Sequence, residues 1–267
     1  MTGLLVSERT IVVPGEALAD GMDYLPGDYT YRVGEAIYAR ALGLVSLAGR
    51  VLRITPLAGP YVPRFGDKII GQIIDITMTG WRISTATAYS ALLNVKDATT
   101  RFVRKTDDLS RMMAIGDMVV VKIVNVTSQR LIDVTMKEPG LHRISGGRII
   151  RMSCQKVPRV IGKQGSMITL IKDKTGCSIT VGQNGLVWIR GDADNERVVE
   201  QAIRLIEEKS HMEGLTEQVD AFLTKHAKPV VRAPESERQF AEQEEMPEEP
   251  GEEGSERERE QYTMGEN

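Results

Sequence analysis

Residues 160–165 read Val160-Ile161-Gly162-Lys163-Gln164-Gly165, and the run Ser166-Met167-Ile168-Thr169-Leu170-Ile171 follows without a break. Two glycines three positions apart let the backbone bend tightly, and neither carries a side chain that would keep a phosphate away. Met167, Ile168, Leu170 and Ile171 fall on one face of a helix predicted over residues 166–175. The bend therefore opens straight into a helix N-terminus, where free backbone amides and the positive end of the dipole favour an anion. Ser166 is placed to cap that helix and Gly176 to stop it. Lys163 in the bend and Arg159 just ahead of it add positive charge.

Working outward, residues 147–153 (GRIIRMS) read as a strand and residues 157–161 as a short helical turn. Residues 177–181 and 186–190 read as a hairpin around Gly182-Gln183-Asn184-Gly185. Asp194 opens a last helix with the apolar stripe Val198, Val199, Ala202, Leu205 and Ile206. The order is strand, helix, helix, strand, strand, helix. A lone G-x-x-G is frequent by chance, and its meaning here comes from this context. Residues 144–212 resemble the KH family in its eukaryotic-type arrangement. The resemblance implies a phosphate clamp made by Arg159, Ile161, Gly162, Lys163, Gln164, Gly165 and Ser166. Beside it, an apolar groove formed by residues such as Val157, Ile161 and Ile168 would hold about four unstacked bases. A degenerate KH fold used only for protein contact is the competing reading. The two glycines and the lysine kept in the bend weigh against it.

Residues 63–138 carry a β pattern. The segments are 68–76 (KIIGQIIDI), 80–85 (GWRIST), 89–93, 117–126 (DMVVVKIVNV) and 131–136 (LIDVTM), with one long connection between the third and fourth. Gly71 marks a bend or bulge of the sort barrels need. Five strands in so short a stretch fit an OB-type barrel, with another small barrel as the alternative. The segment resembles the ribosomal-protein S1-type RNA-binding module. Such barrels bind single strands with exposed aromatics and basic loops. The expected contacts are Arg82, Arg101, Phe102, Arg104 and Lys105, with Trp81, Tyr89 and Arg111 as further candidates. Trp81 fits the core equally well, and Asp107 and Asp108 dilute the charge of the loop.

Residues 1–62 are punctuated by Pro14-Gly15, Asp20-Gly21, Pro26-Gly27 and Gly59-Pro60. Short β-type runs at 9–13, 29–33, 36–39 and 49–54 lie between them, which predicts a small β domain. Residues 213–232 read as a helical C-terminal extension. Residues 233–267 read as a disordered acidic tail, since they cannot bury enough apolar surface to offset chain entropy. From residue 235 onward there are 13 Glu and 3 Arg without Asp or Lys, a net −10. The whole chain carries −3, so residues 1–234 carry +7. Within them, residues 143–174 hold eight basic side chains against the single acid Asp173. Such segregation suits a polyanionic partner.

A small β domain, an S1-type barrel and a KH module, in that order, resemble the RNA-binding cap subunits of the archaeal exosome, of the Rrp-four type. Val12-Val13-Pro14-Gly15-Glu16, the segment YRVGEAIYARALGLV at 31–45 and Gly49–Val51 are similar to the family's opening region. The likeness spans roughly residues 8–225. It implies three such subunits on a hexameric ring of RNase PH-like proteins, with the N-terminal domain (1–62) docked on the ring and the barrels around its pore. The cap would capture single-stranded RNA, favour adenine-rich tails and feed a 3′ end to phosphorolytic sites in the ring. The family's other cap type carries a cysteine-based zinc ribbon, which Cys154 and Cys177 cannot build.

Enzyme classes find little support. His142, His211 and His226 form no metal-spaced cluster, and no Walker, G-x-S-x-G or HExxH motif is present. No cofactor, metal ligand or catalytic residue is expected. No apolar run approaches the roughly 20 residues needed to span a bilayer, and the N-terminus does not read as a signal peptide. Cys154 and Cys177 fit buried thiols in a reducing cytoplasm. The rival to the exosome reading is an RNA-binding factor of a translation or ribosome-associated assembly.

Overall fold

The computed structural model describes residues 3–100, 104, 108–210, 212 and 214–228. The expected acidic tail at 233–267 lies outside these residues.

Eight short strands build the N-terminal part: β1 (Gly3–Leu4), β2 (Ile11–Val12), β3 (Ala17–Asp20), β4 (Leu25–Pro26), β5 (Thr30–Val33), β6 (Ala36–Ala39), β7 (Gly43–Ala48) and β8 (Val51–Pro56). They form two four-stranded sheets, ordered β1-β3-β6-β5 and β2-β7-β8-β4. Val12, Leu18, Ile37, Val45, Leu52 and Ile54 fill the core of this part. Sequence patterning anticipates β2, β5, β6 and β8. It misses the other four, which are either two residues long or made of small residues such as Ala17, Ala19, Gly43 and Ala48.

The next five strands are β9 (Lys68–Thr77), β10 (Gly80–Ser84), β11 (Ser90–Asn94), β12 (Met118–Val126) and β13 (Ile132–Thr135). They run in the order β13-β11-β10-β9-β12, and β13 pairs with β12 as well, so the sheet closes into an OB-type barrel. The β11–β13 pairing is parallel and the others antiparallel. Alternation sends Ile69, Ile73, Trp81, Ile83, Leu93, Val121 and Ile123 inward. A Cβ on Gly71 would stand 2.3 Å from Ile83 Cγ2 and 2.8 Å from the Ser84 carbonyl oxygen. Glycine is therefore what lets β9 and β10 approach closely, next to the register shift at Arg82/Ile83. The long connection carries a short helix, α1 (Val95–Ala98), and a 3₁₀ turn at Leu109–Arg111. A further strand, β14 (Arg143–Ile144), adds to β12.

The last folded part contains β15 (Arg148–Arg151), α2 (Val157–Ile161), α3 (Ser166–Thr175), β16 (Ser178–Val181), β17 (Leu186–Arg190) and α4 (Ala193–Glu208). Its antiparallel sheet runs β15-β17-β16, and the sequence of elements is that of a eukaryotic-type KH fold. Gly176, at φ 66°, ends α3, and Asp192 caps α4 by accepting a hydrogen bond from the Asp194 amide. An additional helix, α5 (Leu215–His226), inserts Leu215, Val219 and Leu223 into the same core. Each is buried, a contribution of about 1.5–3 kcal/mol apiece.

Barrel and KH part share a fourth apolar cluster of Ile70, Val120, Leu141, Ile144, Leu186 and Trp188. Asn184, in the β16–β17 turn, pins this joint. Its amide donates to the Ile70 carbonyl at 2.7 Å and the Thr85 carbonyl at 2.9 Å, and its oxygen accepts from the Ile70 amide at 3.3 Å. The Gln183 amide adds a bond to the Lys68 carbonyl at 2.8 Å. The KH hairpin thus extends the hydrogen bonding of β9.

Candidate nucleic-acid interface

The bend between α2 and α3 is built from backbone conformation. Gly162 (φ 76°, ψ 175°), Gln164 (φ 54°, ψ 28°) and Gly165 (φ 81°, ψ 8°) all take positive φ. A Cβ on Gly162 would stand 2.6 Å from the Met167 amide nitrogen, so this position folds directly against the start of α3 and admits only glycine. Around Gly165 there is room, and only the dihedral demands glycine there. The helix cap differs from expectation. Gly165, not Ser166, is the N-cap residue, and no side chain accepts from the first amides of α3. Ser166 instead occupies the first helical position, exposed beside those amides. The Ser166 amide already donates to the Lys163 carbonyl, and what the helix start adds for an incoming phosphate is its positive dipole end.

Arg159, Lys163 and Gln164 are exposed around the bend, and Arg159 and Lys163 make no ion pair among the described residues. Ile161 and Ile168 are half-buried and offer apolar surface next to it. Val157 does not. It is fully buried in the KH core, because the five-residue α2 turns this first residue toward the sheet.

On the barrel, Trp81 is a core residue and not a stacking platform. It is fully buried, and its indole N–H donates to the Met113 carbonyl at 3.0 Å. Its neighbour Arg82 points outward, directly across from Leu92, also exposed, on β11. Tyr89 is 37% exposed. The Arg130 guanidinium lies 5.9 Å from its ring centroid, within cation–π range. The Thr85 hydroxyl donates to the Tyr89 carbonyl at 2.7 Å, and Thr85 is the residue whose own carbonyl Asn184 holds. Arg111 is 3.9 Å from Asp108, whose carboxyl is held below its ordinary value mainly by hydrogen bonds from Ser110. Arg104 is exposed, whereas Arg101, Phe102 and Lys105 lie outside the described residues.

Sequence reasoning missed Arg130, Leu92 and the fully exposed Met78 at the β9–β10 turn. In an OB-type barrel the second and third strands and the turns flanking them form the ligand face. Laying the strand alternation on that face identifies Leu92, and counting to the β12–β13 turn identifies Arg130. The bend and this outer face are two separate patches on two units joined by the Asn184 bonds and a shared apolar cluster.

Comparison with known proteins agrees with the architecture. Residues 148–208 match the KH domain family, and residues 9–58 match the family described as the exosome RNA binding protein RRP4 N-terminal domain. The chain is 39% identical over 263 residues to the exosome complex component Rrp4 of Thermococcus kodakarensis, covering 96% of this chain and 98% of that one. It is 37% identical over 220 residues to the Rrp4 of Methanothermus fervidus, covering 82% of this chain and 97% of the relative. A crystal structure described as an exosome complex RNA-binding protein superposes with a TM-score of 0.57 at 33% identity, covering 63% of this chain and 97% of that one. At that identity over nearly the whole length of its relatives, the chain belongs to the Rrp4 family of archaeal exosome complex components.

Proposed function

We propose that this chain is a non-catalytic, cytoplasmic RNA-binding subunit that gathers single-stranded RNA and delivers its 3′ end to a phosphorolytic ring. The observation that carries the reading is the glycine-bracketed bend at positive φ, which runs into α3 without a side-chain cap and is flanked by exposed Arg159 and Lys163. Backbone amides and two cations there suit phosphates, and half-buried Ile161 and Ile168 suit the bases of an unpaired strand. Arg82, Tyr89, Leu92 and Arg130 supply the second contact, where base stacking on an aromatic contributes about 1–3 kcal/mol per base. Two tethered contacts raise the effective concentration of the strand, and three copies on one hexameric RNase PH-like ring multiply it. Adenine-rich tails, which stack well, are the preferred substrate of this reading.

The N-terminal part is the docking element. Ile11, Val13, Leu25 and Val33 each expose more than half of their surface. That is an unusual density of apolar surface for so small a unit, and it fits a protein partner. Two measurements test the division of labour. Lys163→Asp with Gln164→Asp puts negative charge in the bend, and single-strand affinity falls at least tenfold while the melting temperature holds; unchanged affinity removes the bend from the site. Removal of residues 1–60 abolishes assembly with an RNase PH-like ring yet leaves binding of a short single strand at the KH bend. A truncated chain that still assembles, or a native complex made of ribosomal subunits, contradicts the docking role.

A further inference from the structure

The N-terminal part, the barrel and the start of the KH part line a cleft that shares only Arg130 with the RNA contacts described above. One lobe, about 440 Å³, is lined by Arg53 of β8, by Arg64 and Asp67 ahead of β9, and by Gln155 and Pro158 at the start of the KH helices. A second lobe, about 570 Å³, is lined by Arg40 after β6 and by Arg130 of the barrel turn. Asp28, Tyr29, Val62 and Arg64 line both, so the two lobes adjoin.

The charge in this cleft is unbalanced. Four arginines face two carboxylates, Asp28 and Asp67. Asp67 is already engaged, since the Tyr61 hydroxyl donates to it at 2.5 Å. The guanidinium groups of Arg40, Arg53 and Arg64 make no ion pair and no hydrogen bond among the described residues. Arginines kept for stability usually hold a carboxylate or a carbonyl. Arginines that converge on a concave surface without one repel each other, and an anion relieves that repulsion.

Position narrows the choice of anion. Arg130 at one end of the cleft is the residue within cation–π range of Tyr89 on the barrel face. Pro158 at the other end precedes Arg159, and the remaining turn of α2 leads to Gly162, only about 6 Å further at the helical rise. The cleft therefore connects the two proposed RNA contacts. A chain of closely spaced phosphates matches a row of planar guanidinium groups better than an isolated carboxylate would.

We propose that this junction cleft is a third RNA contact, in which Arg40, Arg53 and Arg64 hold the phosphodiester backbone of one strand passing between the KH bend and the barrel. The inference rests on the RNA-holding reading given above, and a length series separates the two. Full-length protein carrying Arg53→Gln and Arg64→Gln is titrated with labelled oligoadenylates of about four and about twelve nucleotides over a range of salt. The short strand fills only the KH bend, so its affinity stays at the wild-type value. The long strand loses about five- to twentyfold, and its salt slope becomes shallower by about 1.4, from two lost single-strand phosphate contacts. A long strand with unchanged affinity and slope overturns the proposal, and so does a double variant that binds RNA normally but no longer assembles with the ring, which makes the cleft a protein contact. Failure of the underlying reading has its own signature: the Lys163→Asp, Gln164→Asp variant would then bind the short strand as wild type does. Both arginines are exposed, and a melting temperature matched to wild type verifies that the variant is folded.

Discussion

The KH bend is made of backbone and the barrel face of side chains, and the two patches behave differently as a result. In the bend, positive φ at Gly162, Gln164 and Gly165 creates the site within six consecutive residues, and the first of these positions has no space for a Cβ. On the barrel, Arg82, Leu92, Tyr89 and Arg130 come from two strands and two turns: Arg82 faces Leu92 across β10–β11, and Arg130 reaches Tyr89 from the distant β12–β13 turn. A backbone site depends on its glycines and tolerates change in its polar side chains unless charge is reversed. A side-chain site tolerates backbone drift and depends on individual rings and cations. Asn184 ties one to the other, since the KH hairpin holds the Thr85 carbonyl of the turn that carries Tyr89.

The largest effect breaks the tie itself. Asn184→Ala leaves the Ile70 and Thr85 carbonyls without their donor, at a cost of about 2–3 kcal/mol. Calorimetry should then resolve separate melting of barrel and KH part where the wild type melts as one; a single unshifted transition would mean the shared apolar cluster suffices alone. The next effect sharpens the contrast inside the bend. Gly162→Ala meets the Met167 amide and a strained dihedral, costing about 1–3 kcal/mol and at least tenfold in RNA affinity. Gly165→Ala, with open space around its Cβ, pays only for the dihedral and loses less on both counts. Equal losses at the two glycines would refute the packing argument. The smallest effects form a crossed pair on the barrel. Trp81→Phe removes the bond to the Met113 carbonyl and costs about 1 kcal/mol of stability, with RNA affinity unchanged. Tyr89→Ala does the reverse, lowering affinity by a stacking contribution of about 1 kcal/mol with little change in melting temperature. Reversal of that pattern would put the ligand face on the other side of the sheet.

The same contrast governs what the sequence reveals. The bend, α3 and the β16–β17 hairpin were legible because each is fixed by a few adjacent residues. The barrel strands were legible as short apolar, β-branched runs with Gly71 as a bend, but those runs left Trp81 equally fit for the core or for RNA. Reading Ser166 as the cap places it one position too late along the chain, since nothing local reveals that Gly165 takes the left-handed conformation and the N-cap place. Val157 was assigned to the groove because a five-residue helix offers too few positions to fix which face is buried. Asn184 reads as an ordinary turn residue, and nothing in the sequence singles out Arg130. Their roles come from partners 114 and 41 positions away along the chain, at Ile70 and Tyr89, which no local pattern encodes. The helix α5 was expected only as an extension, yet it completes the KH core with Leu215, Val219 and Leu223.

Photo-crosslinking of a bound oligoadenylate to the full chain, with the modified peptides read by mass spectrometry, tests the central claim most directly. Phosphates held at the Gly162–Gly165 bend predict adducts within residues 159–168, accompanied by adducts at Tyr89. Adducts confined to other segments, with both regions unmodified at saturating RNA, would contradict the account and leave the protein a scaffold.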